Sequence, residues 1–255
     1  DKSMSHRAVM FSSLAEGTSH ITGLLEGEDV MATLAAFRAM GVQAEGPNNG
    51  DLVIHGVGMR GLKAPEVDLD MGNSGTAMRL MTGILAAQNF ASKLVGDESL
   101  SKRPMRRVTV PLTSMGARCA TDDNGCPPIH IRGVERLQPI SYKLPMASAQ
   151  IKSAVLLAGL YADGETSVTE PAPTRDHTER MLKAYGYACE SEKVNDQVTT
   201  IRLSGGGKLS ATDIDIPADI SSAAFFMVAA SIVPDSLIVL EHVCINPTRT
   251  GVIDI

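Results

Sequence analysis

The chain has 255 residues, 44% of them apolar and 20% charged, which excludes a disordered or fibrous protein. Its net charge of −6, with no Trp and few other aromatic residues, argues against nucleic-acid partners. The longest apolar run, Ala223 to Val233, is too short for a bilayer, which takes roughly 20 residues. These properties predict a globular protein that binds neither nucleic acid nor membrane.

In chain order, the same series of elements is predicted three times. The first helix of each unit begins near one of three polar or small residues, Ser3, Asn73 and Ala147. A strand and a second helix follow, and the second helix ends at a glycine: Gly41, Gly116 or Gly186. The β-branched runs behind each glycine predict a hairpin. One unit is therefore strand, helix, strand, helix, strand, strand, written βαβαββ.

A fourth copy is expected to begin at Ile214 and to break off near Gly251. The glycine-rich composition of Gly205-Gly206-Gly207, just before this copy, indicates a boundary. The chain is therefore predicted to have two parts. Residues 1–212 would form a complete three-repeat substrate-binding domain. Residues 213–255 would form a hinge crossing and a partial first repeat of a second domain. The chain starts at Asp1 rather than Met and stops in an apolar run, so we expect it to be a piece of a longer protein.

Two glycine-rich motifs are weak signals. Residues 56–61 match the dinucleotide fingerprint G-x-G-x-x-G, but no helix pattern follows them, and the fingerprint must open a helix. Gly205 to Lys208 is similar to a phosphate-binding loop, but Leu209 occupies the position of the hydroxyl that would bind metal. Neither motif predicts a nucleotide site.

The cysteines and histidines show no metal-ligand spacing. The missing ligand spacing predicts no bound metal, and the four cysteines are expected to be reduced thiols in an intracellular protein.

The first helix of each unit carries the pattern that predicts chemistry. A small residue is followed four positions later by a cation: Ser3 and Arg7, Gly75 and Arg79, Ser148 and Lys152. Residues four apart lie on one helix face. A helix N-terminus offers free N–H groups and a partial positive charge, which suit phosphate and carboxylate groups. If the units pack around a pseudo-threefold axis, the three starts converge on one pocket for small polyanions.

Two other segments add positive charge to this prediction. The run Lys102 to Arg107 is the densest basic cluster of the chain, and Arg175 is expected to open the second helix of the third unit. A basic run taken alone is more often a solvated face, but together with three phased helix starts it favours an anion site.

Six segments resemble the EPSP synthase (3-phosphoshikimate 1-carboxyvinyltransferase) family, most closely its glyphosate-tolerant bacterial class. They are residues 1–7, 72–79, 102–105, 146–152, 174–177 and 246–251. The resemblance covers the whole chain and implies an α/β fold, the inside-out α/β barrel of three βαβαββ units around a pseudo-threefold axis that enolpyruvyl transferases share. It also implies a monomeric, cytoplasmic transferase of the shikimate pathway, without metal or other cofactor.

The resemblance further implies the reaction and its residues. The enolpyruvyl group of phosphoenolpyruvate would pass to the 5-hydroxyl of shikimate 3-phosphate, with glyphosate as an inhibitor. Shikimate 3-phosphate would contact Lys2, Ser3, Arg7, Ser148, Ala149, Gln150 and Arg175. Phosphoenolpyruvate would contact Lys2, Gly75, Arg103 and Gln150. Lys2 would be the one catalytic group present, because the family's general acid/base residues match no part of this sequence.

Two alternatives remain open at this point. The related transferase that acts on UDP-N-acetylglucosamine carries a catalytic Cys before its Arg-Pro, whereas Ser101 and Lys102 precede Arg103-Pro104 here, and Cys119 lies well past them. A non-catalytic anion-binding domain would show the same phased helix starts without turnover. Arg79 and Lys152 fit the repeat pattern. They are expected to contribute through the electrostatic field of their positive charges or to stabilise the fold, without touching a substrate.

Overall fold

The structure is a computed structural model that describes residues 1–253, so the last two residues of the predicted segment 213–255 lie outside it. The helices are α1 Lys2–Leu14, α2 Glu28–Ala39, α3 Gly75–Leu85, α4 Arg106–Ser114, α5 Ala149–Gly159, α6 His177–Ala184 and α7 Ile220–Ile232. The strands are β1 Ala15–Thr22, β2 Gln43–Asn48, β3 Asp51–Val57, β4 Leu69–Asp70, β5 Ala91–Val95, β6 Arg118–Ala120, β7 Ile129–Arg132, β8 Ser141–Lys143, β9 Glu165–Glu170, β10 Glu190–Lys193, β11 Thr199–Ser204, β12 Leu209–Ser210 and β13 Ile214–Asp215. This alternation confirms the predicted α/β class.

Three sheets share one topology. In the orders β4-β5-β7-β6 and β8-β9-β11-β10, the first pair is parallel and the following pairs are antiparallel. In the first sheet, β12 and β13 pair in parallel with β1, through Ala15 with Leu209 and Ile21 with Ile214. Strands β12 and β13, which follow the third unit in the chain, therefore supply the parallel partner of β1 in the first unit. The sequence pattern had placed Ile214 in a fourth copy, and the boundary between residues 212 and 213 stays a prediction.

The first helices of the units form the interior. Nearly every residue of α1, α3 and α5 is buried, whereas α2, α4 and α6 bury one face each. A side chain at Gly83 would place its Cβ 2.3 Å from the carbonyl oxygen of Ala154, so glycine permits the close approach of α3 and α5. The sheets lie outside these helices, as the alternately buried and exposed residues of β7 show. This is the predicted inside-out arrangement.

Glycines end the second helix of each unit, as predicted. Gly41, Gly116 and Gly186 adopt φ values of +89°, +89° and +77°, the left-handed region that favours glycine. The predicted start of α6 at Arg175 is wrong, because the helix begins at His177 after Asp176. The hydroxyl of Thr174 donates to Glu170 Oε2 at 2.6 Å, and this contact holds Thr174 and Arg175 in the loop before the helix.

Helix α7 differs from the other six helices. Only Ile220 and Ala223 are buried, and Phe225 is 79% exposed. Across residues 1–253, no helix combines the length and the hydropathy that crossing a bilayer requires.

Candidate functional site

The starts of the three interior helices meet. Side-chain hydrogen bonds join all three pairs of helix starts, among them His6 Nε2 with Ser74 Oγ at 3.2 Å, Arg7 Nη2 with Ser153 Oγ at 2.9 Å and Arg79 Nη1 with Gln150 Oε1 at 2.7 Å. The convergence expected from the repeat pattern is therefore present. It brings the free N–H groups and partial positive charges of three helix N-termini to one place.

Polar residues cap each of these helices. Ser74 accepts from the backbone N–H of Ala77, and Ser148 accepts from that of Ile151. The two serines thus stand directly before Gly75 and Ala149, the first helical residues of α3 and α5. In α1 the cap is Asp1, and the helix begins at Lys2 rather than at Ser3.

A cleft of about 590 Å³ opens at the start of α5. It is lined by Ser148, Ala149, Gln150 and Arg175, together with residues that include Thr248 and Arg249. Four residues that the resemblance assigns to shikimate 3-phosphate therefore share one wall. Burial and the neighbouring charge of Arg249 hold the pKa of Arg175 below its usual value. Such crowding of cations is relieved when an anion binds between them.

Arg249 was not among the predicted site residues. Its segment, residues 246–251, was one of the six motifs, so the sequence contained the signal that could have found it. Arg249 donates to Ser221 Oγ at the start of α7, which ties the end of the described chain to the cleft.

Arg7 lies under the cleft rather than at its surface. Its guanidinium donates to Thr178 Oγ1 at 2.7 Å, Ser153 Oγ at 2.9 Å and the Ser3 carbonyl at 2.8 Å. Only 3% of the residue is exposed, and burial lowers its pKa to about 10. The side chain of Ser3 accepts from Arg175 at 3.3 Å, so Ser3 and both arginines form one group.

Gly75 and Arg103 lie together at the start of α3. A Cβ on Gly75 would stand 3.4 Å from Arg103 Nη1 and 2.8 Å from Arg79 Nη1, so two guanidinium groups face this glycine. The pKa of Arg79 is lowered by burial and then by the charges of Arg103 and Arg107. This corner is a second cationic group, next to the cleft at α5.

Gln150 connects the two groups. Its Oε1 accepts from Arg79 at 2.7 Å, and its Nε2 donates to Thr76 Oγ1 at 2.9 Å. The same residue lines the cleft that contains Arg175. Its position between the two groups is consistent with the predicted contact to both ligands.

Lys2 is a predicted site residue whose ammonium pairs with a carboxylate of this chain. Its ammonium pairs with Asp29 Oδ2 at 2.6 Å, and the lysine side chain is 52% exposed. Ion pairs this exposed contribute at most about 1 kcal/mol, so an anionic ligand could compete with Asp29 for the ammonium.

The basic run from Lys102 to Arg107 divides between two roles. Lys102 pairs with Glu98 at 2.6 Å on the surface, and Arg106 donates to the carbonyl of Asp123. Arg103 donates instead to Asn73 Oδ1 at 2.6 Å, which holds it beside Gly75. The solvated-face interpretation is thus correct for part of the run and wrong for Arg103.

Cys119 lies on β6 and lines a separate cleft of about 840 Å³ at the second sheet, which shares no lining residue with the cleft at α5. Burial raises the pKa of its thiol to about 12, so the thiol is neutral at pH 7. Cys119 also follows Arg103-Pro104 in the chain, whereas the catalytic Cys of the UDP-N-acetylglucosamine transferase precedes its Arg-Pro. All four cysteines are free, and residues 1–253 contain no group of three or more His, Cys, Asp or Glu that could hold a metal.

His6 predicts a pH dependence of folding. It is fully buried between Thr33 Oγ1, at 2.8 Å, and Ser74 Oγ, and burial, reinforced by Arg7, lowers its pKa from 6.5 to about 4. The unfolded chain therefore binds this proton more readily. The contribution to stability is fully present above pH 6.5 and is lost as the pH falls toward 4. It amounts to about 3 kcal/mol.

Urea unfolding at several pH values measures this effect. We expect His6→Asn to flatten the fall in unfolding free energy between pH 6.5 and 4, whereas His130→Asn, at an exposed position, should leave it unchanged. An unaltered slope in the His6 variant would show that other groups produce the acid sensitivity.

The fold defines the class of protein: three βαβαββ units around buried helices whose starts meet are the architecture of enolpyruvyl transferases. A family model described as EPSP synthase (3-phosphoshikimate 1-carboxyvinyltransferase) matches residues 1–255, and the chain belongs to this family.

Individual relatives agree with the family match. The 3-phosphoshikimate 1-carboxyvinyltransferase of Hydrogenovibrio crunogenus is 64% identical over the whole chain, and that of Methylococcus capsulatus is 60% identical. A solved EPSP synthase structure from Acinetobacter baumannii superposes with a TM-score of 0.92 at 61% identity. It covers the whole chain, which in turn covers 56% of that structure. The chain spans 57% of the length of each of the two named relatives.

Proposed function

We propose that this chain serves the transfer of the enolpyruvyl group from phosphoenolpyruvate to the 5-hydroxyl of shikimate 3-phosphate, with release of phosphate. The observation that carries the proposal is the convergence of the three interior helix starts, with Arg7, Arg103 and Arg175 around them. Membership of the EPSP synthase family supports it.

The charges of the site suit these two substrates. Each carries a phosphate of about −1.5 to −2 and a carboxylate, so together they bring roughly −5 to −6. The predicted cations Lys2, Arg7, Arg103 and Arg175 offset most of this charge. Arg79 and Arg249 add to them, and Lys2 contributes once it has exchanged Asp29 for a ligand.

The geometry suggests how the two substrates divide the site. Shikimate 3-phosphate fits the cleft lined by Ser148, Ala149, Gln150 and Arg175, with Ser3 and Arg7 at its floor. Phosphoenolpyruvate fits the corner between Gly75 and Arg103. Gln150 would then contact both substrates and keep them adjacent, as a transfer between them requires.

The chemistry fits a site made of cations and helix starts. Transfer protonates the methylene carbon of phosphoenolpyruvate, adds the 5-hydroxyl of shikimate 3-phosphate to the neighbouring carbon and expels phosphate by C–O cleavage. No phosphoryl group moves to an acceptor, so the metal clamp of kinases is not required. Lys2 would assist at the reacting atoms, and the general acid/base groups would come from outside this chain. We further infer that glyphosate competes at the phosphoenolpyruvate corner and that the enzyme is a cytoplasmic monomer.

Binding of shikimate 3-phosphate tests the proposal. Isothermal titration of the 255-residue chain in chelator should show saturable binding that weakens with salt. Arg175→Ala and Arg7→Ala should each weaken it by about 1.5–3 kcal/mol, since each would remove a charged hydrogen bond. Arg136→Ala removes an exposed cation that pairs with Asp163 at 3.5 Å, and serves as the matched control with unchanged affinity.

Arg175→Ala is the decisive variant, because Arg175 is partly exposed whereas Arg7 also holds buried hydroxyls. Full affinity in both folded variants would contradict the assignment of the cleft.

A further inference from the structure

Behind the cleft lies a buried cluster of three charged side chains. Lys152 Nζ contacts Glu179 Oε1 at 2.7 Å and Glu170 Oε2 at 3.1 Å. The three side chains are only 1%, 4% and 5% exposed. The substrate contacts proposed above do not use this cluster. Buried charges are costly, so such a cluster calls for a physical explanation.

The cluster joins three elements around one loop. Lys152 belongs to the first turn of α5, Glu170 ends β9, and Glu179 stands in the first turn of α6. The chain between β9 and α6 is the loop 171–176, which contains Arg175. One ammonium therefore holds both flanks of the segment that carries a cleft arginine.

The middle of the loop is tied to the same cluster. Thr174 donates to Glu170 Oε2 at 2.6 Å, the oxygen that also contacts Lys152. The next residue is Arg175, whose guanidinium donates to Ser3 Oγ and lines the cleft. The path from Lys152 to Arg175 thus consists of two short polar contacts and one peptide unit.

The cluster also neighbours Arg7. Ser153 and Thr178, which follow Lys152 and precede Glu179 in the chain, share a 2.7 Å hydrogen bond, and both contact Arg7. Glu179 Oε2 has no hydrogen-bond partner among the described residues, and burial raises the pKa of Glu179. Two buried cations, Lys152 and Arg7, thus lie beside two buried carboxyl groups.

We propose that Lys152, Glu170 and Glu179 form a positioning cluster that fixes the loop 171–176 and thereby sets Arg175 against the phosphorylated substrate. These residues act through Arg175 rather than by touching the ligand. The proposal rests on the binding of shikimate 3-phosphate proposed above, and it assigns these residues a part in affinity in addition to folding.

A double-mutant cycle tests this role. Thr174→Val and Lys152→Met are each made in the parent chain and in Arg175→Ala, and affinity for shikimate 3-phosphate is titrated. In the parent we expect each variant to weaken binding by about tenfold, as the loss of an ordered charged contact does. In the Arg175→Ala background we expect less than about a twofold change, because the positioned group is already gone.

A purely structural role gives a different result. Variants that only loosen the fold would weaken binding equally in both backgrounds, and that outcome overturns the proposal. So does unchanged affinity in a folded Thr174→Val, which removes the Thr174–Glu170 contact while Lys152 keeps both carboxylates. Because Lys152→Met leaves those two carboxylates without their ammonium, Thr174→Val decides the matter if Lys152→Met does not fold. Lys208→Met, which breaks an exposed pair with Glu16, is the matched control and should not alter binding.

Hydrogen exchange separates this proposal from the proposed function. If the parent chain does not bind shikimate 3-phosphate, the proposed function fails, but the amide of Arg180, which donates to the carbonyl of Asp176 at 3.0 Å, still reports on the end of the loop. This amide should exchange faster in Thr174→Val than in the parent and in Lys208→Met. Equal exchange in all three proteins overturns the positioning role whether or not the ligand binds.

Discussion

The 255-residue chain alone is expected to release no phosphate above background from shikimate 3-phosphate and phosphoenolpyruvate. The chain spans 57% of the Hydrogenovibrio crunogenus relative, and the resemblance places the general acid/base groups outside this stretch. Without them, and without the closure that excludes water from such sites, the cations bind the substrates but do not carry out the transfer. A coupled phosphate assay at saturating substrates measures this loss, which should be about a millionfold or more.

Supplying the missing part should restore activity. The remainder of the relative, added as a second polypeptide, is expected to give turnover that Arg175→Ala reduces and Arg136→Ala does not. Turnover by the chain alone would show that the catalytic groups are misplaced. Binding of shikimate 3-phosphate without turnover even in the reconstituted pair would instead favour the non-catalytic anion-binding domain.

Gly75→Ala is expected to raise the inhibition constant of glyphosate far more than the Michaelis constant of phosphoenolpyruvate. The added Cβ would stand between Arg79 Nη1, at 2.8 Å, and Arg103 Nη1, at 3.4 Å, in the corner assigned to phosphoenolpyruvate. Glyphosate is the longer molecule, so the methyl group should exclude it first, by about 1–3 kcal/mol as in other overpacked sites. Steady-state inhibition in the reconstituted pair measures both constants.

The backbone at Gly75 supports this pocket interpretation. Its φ lies outside the left-handed region, so alanine does not strain the chain there. The position of Arg79 decides how selective the effect is, because its Nη1 contacts Gln150 and has to move away from the methyl group. Gly27→Ala, before α2, is the matched control, since its Cβ would meet only Leu25 at 3.6 Å. If both constants rise together, the methyl group disturbs the shared anion site and selective exclusion is wrong.

Much of the fold could be predicted because its signals are local. The glycines that end the second helices need the left-handed conformation, and β-branched runs favour strands, so the βαβαββ order follows from neighbouring residues. The cations four residues after Ser3, Gly75 and Ser148 predicted a common site, since the helical period alone places them on one face. Six motifs carried the resemblance to the EPSP synthase family, which the family match confirms.

The remaining features depend on contacts between distant parts of the chain. The pairing of β13 with β1 joins residues about 190 positions apart, and no local pattern marks Ile214 as a partner of Ile21. In the same way, Arg103 lies beside Gly75, unlike its surface neighbours Lys102 and Arg106, because its guanidinium donates to Asn73, 30 residues earlier in the chain.

The order of elements follows from the amino-acid sequence alone, because propensity and helical spacing act over a few residues. Six short motifs likewise identified the family and most of the candidate site residues. The burial of Lys152 between two carboxylates, in contrast to Arg79 beside Gly75 and Arg7 under the cleft, follows only from how the units pack. The same spacing produced Arg7, Arg79 and Lys152, and their roles differ because each depends on which side chains the neighbouring units bring within about 3 Å.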